Sequence, residues 1–152
     1  MSNSWIAFFD ETQPGIGPAQ LDQLEVEAGI RLPLSLRELY RTLSAGRFRL
    51  SLYVDADETY YDMNRLIPAH GTPPLTSGFV EDFKFHRDRG LIPAHLIPFA
   101  DESGGNVYCI DSTDESIWYA DMELDGDWVP PAKRIADSID ALLKGLREPD
   151  DD

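Results

Sequence analysis

The segment Leu96-Ile-Pro-Phe-Ala-Asp-Glu-Ser-Gly-Gly-Asn-Val-Tyr-Cys-Ile-Asp111 constrains the fold more than any other part of the chain. Two short apolar runs flank a turn of acids, glycines and an asparagine, which predicts a β-hairpin in the middle of the protein. Gly104, Gly105 and Asn106 are the residue types that adopt left-handed backbone angles at least cost. Asp101 is placed to accept backbone N–H bonds across the turn. Pro98 has no N–H, so its strand is expected at a sheet edge or bulged at that point.

Helical patterns precede this hairpin. Leu21, Leu24 and Ala28 share one helical face within Pro18–Ala28, with Pro18 suited to the first turn and Gly29 to the stop. After Leu32-Pro33, the stripe Leu36, Leu39, Tyr40 and Leu43 predicts a second helix, opened by a capping box of Ser35 and Glu38. Upstream, Trp5, Ile6, Phe8 and Phe9 fit a strand or a short helix packed on the core. Downstream, Phe48, Leu50 and Leu52 alternate with Arg49, Ser51 and Tyr53, the period of a half-buried strand. An acidic loop with Asp55, Asp57, Glu58 and Asp62 leads to a short apolar run, Met63 to Ile67. Residues 68–78 have loop composition, and Phe79 to Arg89 fits a short helix with Phe79, Val80 and Phe83 inward.

Three short strands are expected at Leu96 to Ala100, Val107 to Ile110 and Ile117 to Ala120, and a further hairpin at Met122 to Val129 turns at Asp125-Gly126. A last helix carries Ile135, Ile139, Leu142, Leu143 and Leu146 on one face, with Asp137 or Ser138 as its cap. The acidic tail 148–152 is expected to fray. Helices, then strands, then a helix argue for an α+β fold: a central, mainly antiparallel sheet flanked by N-terminal helices and a C-terminal helix. At 152 residues the chain is the size of one domain.

Charge narrows the partners. The chain has 28 Asp and Glu against 13 Lys and Arg, a net charge of −15. Such a surface repels phosphates of nucleic acid and anionic membranes and attracts basic molecules. From Gly90 to Ala132 there is no lysine or arginine, yet nine acids: Asp101, Glu102, Asp111, Asp114, Glu115, Asp121, Glu123, Asp125 and Asp127. Asp121 and Glu123 would share one face of an extended strand, with Met122 and Leu124 turned to the core. A solvated face explains polar residues, but such faces normally mix signs. The alternative is a docking face for a basic protein, where electrostatic complementarity speeds association. Asp55, Asp57, Glu58, Asp62, Glu102, Asp111, Asp114, Glu115, Asp121, Glu123, Asp125 and Asp127 are the candidate contacts.

Other chemistries find no support. His70, His86 and His95 lack metal-ligand spacing. Gly104 and Gly105 lack the Lys and Ser/Thr of a phosphate loop. No nucleophile-elbow sequence and no basic, aromatic-interleaved stripe occur. The single Cys109 excludes an internal disulfide and reads as a buried strand thiol. No cofactor is expected. Without a basic, apolar leader or a run of about 20 apolar residues, the chain is expected in the cytoplasm.

Three stretches resemble the SUKH (SMI/KNR-type) superfamily. Leu32-Pro33 with Leu36, Glu38, Leu39 and Tyr40 is similar to its second helix; Leu96 to Asp101, Gly104 to Asn106 and Ile110-Asp111 to its central hairpin; Ala136 to Leu146 to its final helix. Ile139 stands where an aromatic is commoner, Ser44-Ala45-Gly46 departs from the usual asparagine-glycine pair, and 53–89 has no counterpart pattern. The resemblance implies a non-enzymatic immunity protein that binds and neutralises a cognate polymorphic or contact-dependent toxin, basic and of nuclease type. A regulatory or scaffold module of the same fold, similar to the eukaryotic cell-wall-synthesis regulators, is the alternative it implies. A monomer is slightly favoured over an oligomer.

Overall fold

A computed structural model of the protein describes residues 2–71, 77–122 and 132–149. A 3-10 helix, Ser2–Phe8, leads into β1 (Phe9–Pro14), followed by α1 (Pro18–Ala28), α2 (Leu34–Thr42) and β2 (Leu43–Phe48). Then come β3 (Leu52–Val54), β4 (Tyr60–Asp62), β5 (Arg65–Leu66) and α3 (Phe79–Asp88). The chain continues through β6 (Leu96–Asp101), β7 (Val107–Asp111), β8 (Ile117–Ala120), β9 (Ala132–Ala136) and α4 (Ile139–Lys144). A seven-stranded sheet has the order β1-β2-β5-β6-β7-β8-β9, antiparallel at every step. The strands β3 and β4 form a separate two-stranded hairpin.

The expected α1 forms with its stripe Leu21, Leu24 and Ala28 buried, and Gly29 ends it at φ 75°, the left-handed angle that favours glycine. The second helix differs at its start. Pro33 is its N-cap, Ser35 lies inside the first turn, and the predicted capping box with Glu38 does not form. Instead the Ser35 amide donates to Glu115 Oε1 at 2.9 Å, from the turn between β7 and β8. Leu43, expected on the helix stripe, opens β2.

Both faces at the centre of the seven-stranded sheet are buried. Phe9, Phe48, Leu66, Ile97, Tyr108, Ile110 and Ile117 join the apolar stripes of the helices in the main core. Leu96, Val107, Cys109 and Ala120 form a second cluster with Ile92 on the opposite face. All five residues of β7 are buried, so it reads as a continuous apolar run instead of an alternating one. Pro98 lies in an interior strand, not at an edge; the register shifts between Pro98 and Ala100, so the bulge was the correct half of that expectation.

The strand expected over Phe48 to Tyr53 breaks after Phe48, because β3 leaves the main sheet to pair with β4. Leu52 exchanges backbone hydrogen bonds with Arg147 at 3.1 and 2.9 Å, tying β3 to the segment after α4. Ile135 belongs to β9, not to the final helix, which Ser138 caps by accepting the Ala141 amide at 3.0 Å. The hairpin predicted at Met122 to Val129 falls on 123–131, outside the described residues.

Candidate partner-binding surface

The hairpin of β3 and β4 is braced by one carboxylate. Asp55 Oδ1 accepts the amides of Asp57 and Thr59, each at 2.9 Å. Its Oδ2 accepts the Tyr61 hydroxyl at 2.9 Å and the Lys133 ammonium at 3.0 Å. Burial pushes the Asp55 carboxyl up, but the Thr59 amide, Lys133, Tyr61 and the Asp57 amide outweigh it and hold the pKa at about 2. Below this brace, the Tyr61 ring lies 5.0 Å from Tyr119 and 6.5 Å from Tyr108, which roots the hairpin on the sheet. The Tyr53 hydroxyl donates to the Ile135 carbonyl at 3.0 Å.

Asp55 is therefore inside and saturated, which removes it from the accessible acids. Around it, the hairpin turns outward. The Asp57 side chain is 74% exposed and reaches Lys133 at 2.9 Å. Glu58 holds φ 63° at the tip, and Tyr60 is 67% exposed. Asp62 is exposed and accepts Ser103 Oγ at 3.2 Å, which joins the β3–β4 hairpin to the β6–β7 turn. In that turn Glu102 accepts Asn106 Nδ2 and the Tyr119 hydroxyl. Asn106, expected to supply a left-handed angle, is buried and holds the turn with its side chain, while Gly105 takes the positive φ of 100°. Among the described residues the Asp101 carboxylate takes Arg65 Nε at 3.1 Å and Asn64 Nδ2 at 3.0 Å, not the amides of the turn.

The remaining acids divide. Asp101 pairs with Val107 and Leu96 with Asp111, so the β6–β7 turn and the β7–β8 turn lie at opposite ends of the sheet. The five residues of β7 separate them by roughly 16 Å. Asp57, Glu58, Asp62, Glu102 and, just past the end of β8, Asp121 belong to the first end. Asp111, Asp114 and Glu115 belong to the other. Asp111 is buried and accepts Thr113 N–H at 2.8 Å and its hydroxyl at 2.6 Å. Asp114 accepts the Ser116 hydroxyl and amide, which hold its carboxyl below the usual range. Glu115 caps α2. Glu123, Asp125 and Asp127 lie outside the described residues. The acids thus do not form a single face; Asp101, from the run without local cations, finds Arg65 across the sheet, and the hairpin acids Asp55 and Asp57 find Lys133.

A cleft of about 560 Å³ lies beside Glu115, lined also by Asp22, Glu25, Arg31, Leu34 and Arg37. Its carboxylates are committed to structure. Arg37 pairs with Asp22 at 3.3 Å and Glu25 at 3.2 Å, and Glu25 accepts the Leu32 amide at 2.8 Å. Among the described residues no His, Cys, Asp or Glu group could hold a metal ion, and no helix is long and apolar enough to cross a membrane. Tyr60 and Lys133 were not singled out from the sequence; Tyr60 alternates with the buried Tyr61, which was the available signal.

The chain matches the SMI1 / KNR4 family (SUKH-1) over residues 15–145. No curated protein matches it. A crystal structure of a protein from Pseudomonas syringae pv. tomato is similar, with 16% sequence identity, a TM-score of 0.52, and coverage of 84% of this chain and 86% of that one. At that identity the likeness shows the fold.

Proposed function

Because the chain belongs to the SMI1 / KNR4 (SUKH-1) family, we propose that it is a non-catalytic immunity protein that binds a cognate toxin with a basic surface, of nuclease type, in the cytoplasm. The docking surface is the end of the sheet that carries the β3–β4 hairpin. The observation that carries this reading is the braced hairpin: Asp55 fixes it from within, so that Asp57, Glu58, Tyr60 and Asp62 are presented on a held scaffold. An exposed tyrosine ringed by carboxylates has the composition of a binding hot spot for cationic partners. A prearranged surface also lowers the ordering cost of association.

The test is co-expression with the product of the adjacent gene, capture of the complex, and stopped-flow association. Glu58→Lys with Asp62→Lys should slow association at least about 10-fold at low salt, and Tyr60→Ala should speed dissociation. Asp114→Lys, at the opposite end, should change neither. If the Asp114 variant alone weakens the complex, docking occurs at the other end of the sheet. Failure of the wild type to bind that product sinks the immunity reading and favours the scaffold alternative.

A further inference from the structure

A cross-strand row runs over all the strands of the main sheet on the face opposite the helices: Asp10, Arg47, Arg65, Asp101, Val107, Ala120 and Ala132 are successive Cα partners. Toward its β1 end two arginines face each other directly, Arg47 on β2 and Arg65 on β5. The Phe48 amide donates to the Asn64 carbonyl at 3.1 Å, which puts Arg47 and Arg65 at the neighbouring non-hydrogen-bonded position, where side chains come closest. Like charges placed directly opposite disfavour the pairing unless they are offset. The chain has few cations, and here two are set against each other.

Both guanidinium groups are aimed by one hydrogen-bonded chain. Arg47 Nη1 donates to Asn64 Oδ1 at 2.8 Å. Asn64 Nδ2 donates to Asp101 Oδ1 at 3.0 Å, and Arg65 Nε donates to Asp101 Oδ2 at 3.1 Å. Glu11 Oε2 lies 3.7 Å from Arg47 Nε, an exposed ion pair without a hydrogen bond. The side chains stay 55% and 36% exposed, so most of their terminal N–H donors face solvent. Between them opens a small pocket of about 140 Å³, lined by Ala45, Leu66 and Pro68 as well as Glu11 and the two arginines. That volume suits one oxyanion group and not a nucleotide.

We propose that Arg47 and Arg65 form a pincer for a single oxyanion, a phosphate or a carboxylate, with Asn64 and Asp101 as positioning residues. The planar fork of each guanidinium offers paired donors to such a group. Asp101 and Glu11 already offset the charges of Arg65 and Arg47, so a bound oxyanion engages only the N–H donors that those carboxylates leave open. The net charge of −15 repels anions at long range, so recognition must come from these local donors.

The experiment is a ¹H–¹⁵N NMR titration of the full chain with sodium phosphate and with sodium acetate, each at ionic strength fixed by chloride. Saturable shifts are expected at the Arg47 and Arg65 Nε–H groups and the Leu66 amide, with half-saturation on the order of 1–10 mM. Tighter saturation by phosphate assigns the pincer to tetrahedral oxyanions, and by acetate to carboxylates. Arg47→Gln with Arg65→Gln should abolish saturation while the remaining spectrum stays in place. Asn64→Ala should raise half-saturation several-fold with both arginines present. The proposal is overturned if neither salt saturates these signals, or if the double variant responds as the wild type does.

Discussion

Glu115 in the β7–β8 turn and Ser35 in the first turn of α2 are joined by a 2.9 Å hydrogen bond from the Ser35 amide to the Glu115 carboxylate. The helix is thus capped from across the fold, and Pro33, its N-cap residue, offers no side-chain acceptor. Glu115→Ala should lower stability by about 1 kcal/mol, and Glu115→Gln by less, since it keeps an acceptor and loses only the charge. Ser35→Ala should cost nothing or add stability, because its buried hydroxyl has no hydrogen-bond partner among the described residues. Urea denaturation decides between this cap and the local one: a loss of about 1 kcal/mol in Ser35→Ala would restore the Ser35–Glu38 box.

That difference shows where sequence reasoning reaches its limit. Local signals located α1 because Pro18, the Leu21–Leu24–Ala28 stripe and Gly29 act within a few residues of one another. They located β6, β7 and β8 because apolar runs bounded by turn residues leave few alternatives. The departure of β3 from Phe48 was hidden, because alternation through Leu50 and Leu52 is the same whichever strand they pair with. β9 was hidden too: Ile135 and Ala136 continue the apolar spacing of α4 without a break. The acids looked like one surface because sequence distance does not show that β7 carries the chain from one end of the sheet to the other.

Asp55 should set the acid limb of the stability curve. Its pKa is about 2 in the fold against an ordinary 3.8, so the folded state gains from its ionisation. That gain is complete above the ordinary value and is lost as pH falls toward about 2. Stability measured by urea midpoints should therefore fall between about pH 4 and pH 2, and Asp55→Asn should flatten that limb. Asp55→Ala, which strands two amides and the Tyr61 hydroxyl while Lys133 keeps Asp57, should cost about 3 kcal/mol at neutral pH. An unchanged acid limb in Asp55→Asn would assign it to other carboxylates.

Cys109 should be silent in the folded protein. It is buried in β7, and burial pushes its thiol well above the usual range, so no thiolate is available to react. Labelling by a thiol-specific reagent at pH 8 should follow global unfolding, with a rate that tracks the denaturant dependence of stability. Rapid labelling under native conditions would mean that β7 opens locally.

Gly15 should be among the least replaceable residues for a reason unrelated to turn propensity. A Cβ there would lie 1.8 Å from the Arg41 carbonyl oxygen and 2.3 Å from its carbon, both backbone atoms that cannot rotate away. Next to it the Ile16 amide donates to the Tyr40 carbonyl at 3.0 Å, so the link between β1 and α1 is seated directly on the last turn of α2. Gly15→Ala must lift that link, adding overpacking strain to a lost buried hydrogen bond, about 2–4 kcal/mol in all. Gly104→Ala is the matched control: its nearest atom is the Glu102 carboxylate oxygen at 3.5 Å, and its cost should stay within about 0.5 kcal/mol. Thermal unfolding of the two variants separates close backbone approach from the general cost of replacing a glycine, and equal losses would refute the seating of Gly15 on α2.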